Sequence, residues 1–341
     1  MNTKPSRHEA GGFSSNLSTH LSLREKLTEM CRPHVSDKSS YAIVDFPNYP
    51  NVGDSAIWLG QLAVLRSLTR RAPSYVASHA NFDADELKEF CPVGPVFISG
   101  GGNLGDTWQS HSQLREKLLT LLPERRIIQL PQSIRFSEER NAEHFGSLAR
   151  QHADFHLYVR DQPSLEFADK KLGLLAHLTP DSAFGLPIIN RGLPKRNVVL
   201  LLRDDIERRY YDRQLLNAIP AAKQVDWARD PIRVKISDIL SKLYIKTVFR
   251  GDMAARVRNY QTIASLRMYN GLELLSNGRS VITDRLHGHI LALLLDIPHV
   301  VLDNNSGKVF DFYNQWTSGC ARAKTAVDAP GAIQALADVS V

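Results

Sequence analysis

The stretch SVITDRLHGHILALLLDIPHVVLDNN (280–305) decides the fold. SVITDR (280–285) is short and rich in β-branched residues, the pattern of a buried strand. HGHILALLL (287–295) reads as a helix and HVVLDNN (299–305) as a second strand. Strand, helix and strand in succession make a parallel pair joined by a helical crossover. The same rhythm runs upstream. YAIVDF (41–46), PVFISG (95–100), RIIQLP (126–131), DFHLYVRD (154–161) and NVVLLLRDD (197–205) read as strands. Between them, Trp58, Leu62, Leu65 and Leu68 recur at helical spacing in a segment that Asp54 or Ser55 is placed to cap. HSQLREKLLTLL (111–122) and PSLEFADKKLG (163–173) read as further helices. The pattern restarts after LTPDSAFGLPIINRGLPKRN (178–197), whose three prolines and two glycines suggest a linker. The expected fold class is α/β, with two Rossmann-like lobes facing across a cleft. The expected division is a polar, disordered tail over 1–20, an N-terminal lobe over 21–185 and a C-terminal lobe over 186–341.

Composition narrows the class. The 341 residues are 43% hydrophobic and 23% charged, which suits a soluble globular chain and excludes collagen-like, disulfide-rich and wholly disordered proteins. HILALLLDIPHVVL (289–302) is the most apolar run, but Asp296 and Pro298 break it and it is too short to span a bilayer. MNTKPSRHEAGGFSSN (1–16) has no apolar secretory core. Cys31, Cys91 and Cys320 are odd in number and far apart, which argues against a disulfide framework or a cysteine zinc site. A cytoplasmic location is therefore expected. The net charge of +6 favours an anionic partner. Residues 191–270 hold seventeen Lys and Arg against eight Asp and Glu. That block lacks the basic–aromatic alternation of single-strand binders, so no nucleic-acid partner is expected.

In open α/β sheets, ligands bind beyond the carboxyl ends of the strands. The loops there carry the candidate chemistry. NVGD (51–54) has Gly53 for a tight turn and ends in Asp54 at a helix N-terminus, which taken alone reads as a helix cap. GGGNLGD (100–106) is a glycine-rich turn without a dinucleotide or P-loop signature, in which Asn103 and Asp106 could bond sugar hydroxyls. Arg160 in VRDQPS (159–164) ends a strand, where a guanidinium can grip a carboxylate or phosphate or pair with a nearby acid. TDRLHGHI (283–290) is the most informative motif: Arg285 and a helix N-terminus favour an anion, His287 can move a proton beside it, and Gly288 permits close approach. Lys308 in HVVLDNNSGK (299–308) could reach the same anion or be a solvated lysine. His287 and His289 lie two residues apart, a poor zinc pair on a helix, so no metal and no cofactor are expected. These cations without a metal or nucleotide signature point to a small, doubly charged anion.

NVGDSAIW (51–58), FISGGGNLGDTW (97–108), YVRDQPSLEF (158–167), TPDSAF (179–184) and TDRLHGHILALLLDIPHVVLDNNSGKVFDFY (283–313) together resemble the ordered motif series of the polysaccharide pyruvyl transferases. The resemblance implies a two-lobed, GT-B-like fold, phosphoenolpyruvate as donor and a pyruvate ketal on a sugar as product. It implies donor binding by Arg160, Arg285, the Leu286 backbone and Lys308, catalysis by His287, and acceptor binding by Asp54 and Asn103. It also implies a lipid-linked oligosaccharide acceptor from exopolysaccharide or capsule assembly. The alternatives are a nucleotide-sugar glycosyltransferase of the same architecture and a non-catalytic glycan- or anion-binding homologue.

RVKISDILSKLYIKTVFRG (233–251) allows two readings. Ile236, Ile239, Leu240, Leu243 and Phe249 share one helical face, with Lys242, Lys246 and Arg250 on another. Such a helix either packs into a core or lies on an anionic bilayer, giving peripheral membrane contact.

Overall fold

The computed structural model describes residues 11–205, 207–230, 232–247 and 252–339. The chain divides into two α/β units, and neither is contiguous in sequence. One comprises 24–186 and 227–271, the other 1–23, 187–226 and 272–341.

The first unit is built on β1 (Ala42–Val44), β2 (Tyr75–Ala77), β3 (Val96–Ile98), β4 (Gly101–Gly105), β5 (Ile127–Arg135), β6 (Phe155–Val159) and β7 (Ala176–Leu178). Its order is β2-β1-β3-β5-β6-β7, with β4 paired to β5, and every pairing is parallel. The second unit is built on β8 (Arg196–Leu201), β9 (Ala222–Val225), β10 (Gly278–Thr283), β11 (His299–Leu302) and β12 (Ala323–Ala326). Its order is β12-β11-β10-β8-β9, again all parallel. The central strands are buried on both faces, as for Ile43, Phe97, Ile282 and Val300, because helices cover parallel sheets on both sides. Both sheets therefore place their first strand between the second and the third. The order reverses there, and the loops diverging from that point leave room for a ligand. The reversal lies between β1 and β3 in one unit and between β8 and β10 in the other.

The expected contiguous lobes are corrected by residues 227–271, which join the N-terminal unit. Tyr260 stacks on Phe46 with ring centroids 3.9 Å apart, Arg256 pairs with Glu86 at 2.7 Å, and Arg267 donates to the Pro47 carbonyl at 3.0 Å. Residues 11–20 of the expected disordered tail belong to the helix Gly11–Cys31, while residues 1–10 lie outside the described residues. Asn16 anchors that helix by donating to the Asp296 carboxylate at 3.0 Å, and His20 is buried. Among the described residues, no helix is long and apolar enough to cross a membrane.

Candidate functional site

In the second unit, the loops after β8, β10 and β11 gather the charged residues. β10 ends at Thr283, Asp284 follows it, and Arg285 precedes the helix Leu286–Leu294, which begins without a side-chain cap among the described residues. Its first turn keeps backbone N–H groups of the kind that attract anions. Leu286 is buried and His287 half-buried in that turn. Arg285 pairs with Asp226 at 3.1 Å. Burial, and then the charge of Arg203, make the Arg285 guanidinium less basic than usual. Lys308 opens the helix Lys308–Phe312 after β11, and its Nζ lies 2.6 and 2.7 Å from the two Glu207 oxygens. Glu207 also meets Arg203 at 2.7 Å. Burial alone would raise the Glu207 pKa, but Lys308 and Arg203 hold it below the usual value. The Arg203 backbone N–H donates to Asp284 Oδ1 at 2.8 Å, while Asp284 Oδ2 is buried without a hydrogen bond among the described residues. Burial pushes the Asp284 carboxyl up to about 6. The structure thus connects Lys308 to the Asp284–Arg285 segment after β10 through Glu207 and Arg203. Sequence inspection singled out neither intermediary, because Glu207 and Lys308 are 101 positions apart.

One expectation for this loop is corrected, and the expectation that His289 faces elsewhere than His287 is met. Gly288 serves packing rather than ligand approach: a β-carbon there would lie 2.4 Å from Thr283 Oγ1 and 3.0 Å from Leu201. His289 faces away from the loop and is fully buried, bonded to His299 at 2.7 Å and to Thr317 at 2.8 Å. Burial, and then the neighbouring His299, hold it well below the ordinary histidine pKa.

In the first unit, Arg160 follows β6 and is 3% exposed. Its Nη1 meets buried Asp181 at 2.5 Å and its Nε donates to Ser133 at 2.9 Å. Asp181 is the acid of the TPDSAF motif, so two of the quoted motifs meet in one buried ion pair. Gly102 leaves room beside the guanidinium, since a β-carbon there would lie 3.1 Å from Nη2. GGGNLGD is not only a turn: Gly101–Gly105 form strand β4, which pairs with β5 through an irregular register.

Asn51, not Asp54 or Ser55, caps the helix Val52–Thr69, because its side-chain oxygen accepts from the Asp54 N–H at 3.1 Å. Asp54 instead accepts from the Tyr49 hydroxyl and the Asn51 amide, both at 2.8 Å. Asp106 is committed to the loop before the next helix. It accepts from the Ser137 and Glu138 N–H groups at 2.9 Å, and although burial opposes it, these bonds hold its pKa down at about 2. Asn103 is likewise engaged by its own unit. Its oxygen accepts from Arg115 at 2.7 Å and Gln132 at 2.6 Å, and its amide nitrogen lies 3.0 Å from His111 Nδ1. His111 belongs to a group with Asp45 and His79 whose ligand atoms all lie within 4.8 Å of one another.

The helix Ile232–Thr247 does not pack its apolar row into a core. Ile232, Ile236, Ile239, Leu240 and Leu243 are each at least 50% exposed. Phe249, Arg250 and the side chains of Lys242 and Lys246 lie outside the described residues.

Comparison with known proteins agrees with the motif reading. A family profile described as polysaccharide pyruvyl transferase matches residues 51–306, about three quarters of the chain. Pyruvyl transferase 1 of Schizosaccharomyces pombe is 32% identical over 299 residues, covering 82% of this chain and 70% of that protein. Bacillus subtilis EpsO, a pyruvyl transferase by its name, is 28% identical over 307 residues, covering 88% and 92%. A solved structure of an uncharacterised protein from Klebsiella pneumoniae superposes with a TM-score of 0.53 at 16% identity, covering 89% of this chain and 98% of that one. That last likeness is one of fold.

Proposed function

The chain belongs to the polysaccharide pyruvyl transferase family, and from that premise we propose that it acts on phosphoenolpyruvate and a sugar. The enolpyruvyl group moves onto two hydroxyls of one sugar in an exopolysaccharide or capsule intermediate. The products are a cyclic pyruvate ketal and phosphate.

The observation that carries this reading is the connected set Arg203, Arg285 and Lys308 around the uncapped helix that bears His287. The donor carries a carboxylate and a phosphate, and guanidinium forks and an ammonium match that charge. His287 gives a proton to the vinyl C3, leaving a cationic C2. One sugar hydroxyl adds to C2 and returns its proton to His287. The second hydroxyl displaces phosphate, and its proton leaves with the phosphate. Charge and atoms balance without a redox step. Arg160, held by Asp181 and Ser133, supplies a further oriented guanidinium for the donor. Asp54 and Asn103 serve the acceptor side, Asn103 chiefly by positioning its neighbours. A GT-B-like fold class and a cytoplasmic location accompany this reading.

The acceptor is proposed to be lipid-linked, and the exposed row on Ile232–Thr247 fits that substrate. Five apolar side chains within a strongly basic stretch of sequence suit an anionic bilayer surface.

Calorimetric titration with phosphoenolpyruvate and with nucleotide sugars tests the donor assignment. The account expects saturable binding of phosphoenolpyruvate, lost in Arg285→Ala. Binding of a nucleotide sugar alone would replace it with the glycosyltransferase reading.

A further inference from the structure

Asp45, His79 and His111 come from three separate segments at the carboxyl ends of the first sheet's strands. Asp45 directly follows β1, His79 lies two residues after β2, and His111 sits in the first turn of the helix Gln109–Leu121. Asp45 Oδ1 is 2.7 Å from His111 Nδ1 and 4.0 Å from His79 Nδ1. The two imidazole rings are 4.7 Å apart at an angle of 61°. Three nitrogen and oxygen donors thus converge from residues 34 and 32 positions apart in sequence.

The surroundings favour a cation there. His79 Nδ1 is buried and has no hydrogen-bond partner among the described residues. A buried imidazole nitrogen left unpaired beside a carboxylate is costly unless something bridges them. The Asp45 backbone has φ of +67°, a conformation that residues with a β-carbon rarely adopt and that clusters at functional sites. The second carboxylate oxygen is covered by donors: Arg115 Nη2 at 3.7 Å and Asn103 Nδ2 at 3.4 Å. Oδ1 is left facing both histidines. Arg115 and Gln132 occupy the Asn103 oxygen and so fix its amide nitrogen toward His111 and Asp45. This is an outer shell that orients the inner donors.

We propose that Asp45, His79 and His111 bind one divalent transition-metal ion of the zinc class. Two imidazoles and one carboxylate are the donor set such ions take, with a fourth position left for water or a ligand. Hard cations such as magnesium prefer all-oxygen sites. The proposal does not depend on the donor assignment in the other unit.

The test uses the full chain, stripped with chelator and then equilibrated with one equivalent of zinc. Metal content after buffer exchange and zinc titration calorimetry are the readouts. The account expects close to one zinc per wild-type chain, and a Tm raised by zinc. His79→Ala and His111→Ala should weaken binding roughly 100-fold or more, and zinc should then leave Tm unchanged. His79 is half-buried, so His79→Ala keeps the test open if the Asp45 or His111 variants fail to fold. His144→Ala, at an exposed histidine, should bind zinc as wild type does. Substoichiometric zinc in the wild type, or undiminished binding by His79→Ala, overturns the proposal and leaves Asp45 and His111 as a hydrogen-bonded pair.

Discussion

Glu207 holds Lys308 through both carboxylate oxygens, at 2.6 and 2.7 Å, so the lysine assigned to the donor already faces an anion of its own unit. A phosphate reaching Lys308 competes with that carboxylate. Glu207→Gln removes the competing charge and should lower KM for phosphoenolpyruvate several-fold. Lys308→Ala removes a charge-assisted hydrogen bond, about 1.5–3 kcal/mol, and should raise KM by roughly 10- to 100-fold. Steady-state kinetics on the two variants checks both directions, and a rise in KM for Glu207→Gln would show that the carboxylate positions the lysine instead.

Arg285 and His287 should separate binding from chemistry. Arg285→Lys keeps the charge but loses the planar fork, so KM for the donor should rise about tenfold while kcat changes less. His287→Gln removes the acid–base group and should lower kcat about 10²–10⁴-fold with donor affinity nearly unchanged. Comparing kcat and KM for the pair decides whether the roles divide this way.

Asp284 makes stability depend on pH. Burial raises its carboxyl from 3.8 to about 6 in the folded chain. Between those values the folded state binds more protons than the unfolded one, so stability falls as pH rises from about 4 to about 6. The whole effect is about 3 kcal/mol. Asp284→Asn imitates the protonated form and should therefore stabilise the protein above pH 6 by ~1–3 kcal/mol, with no gain at pH 4. Urea unfolding at pH 4 and pH 7.5 measures the difference.

The exposed row on Ile232–Thr247 should bring the protein to anionic membranes. Flotation with vesicles containing an anionic lipid should carry wild type upward, and neutral vesicles should not. Ile239→Asp combined with Leu243→Asp should abolish flotation, and because both side chains are exposed the fold should survive. Equal recovery with neutral vesicles would remove the electrostatic part of the proposal.

The strands were legible because parallel strands buried on both faces leave unbroken apolar runs. SVITDR and HVVL mark β10 and β11 in the sequence for that reason. β4 was not legible, since a strand of Gly101, Gly102 and Asn103 carries no apolar pattern. The joining of 227–271 to the N-terminal unit rests on long-range contacts such as Tyr260 on Phe46, to which local periodicity is blind. At the candidate site, Arg285, His287 and Lys308 could be singled out because each stands in the segment that follows a legible strand. Glu207 and Arg203 needed the folded chain, as did the gathering of Asp45, His79 and His111. Gly288 was misread because a glycine required for close packing and one required for ligand approach look identical in one dimension.

The central claim is acceptor-dependent transfer from an enol phosphate, and phosphate release measures it most directly. Full-length protein is incubated with phosphoenolpyruvate and a panel of lipid-linked or aryl glycosides, and the product is read by NMR. The account predicts phosphate release only with a sugar offering two suitably placed hydroxyls, matched by a ketal methyl signal and reduced at least about 100-fold in His287→Gln. Phosphate release that ignores the sugar, or wild-type turnover in His287→Gln, would contradict it.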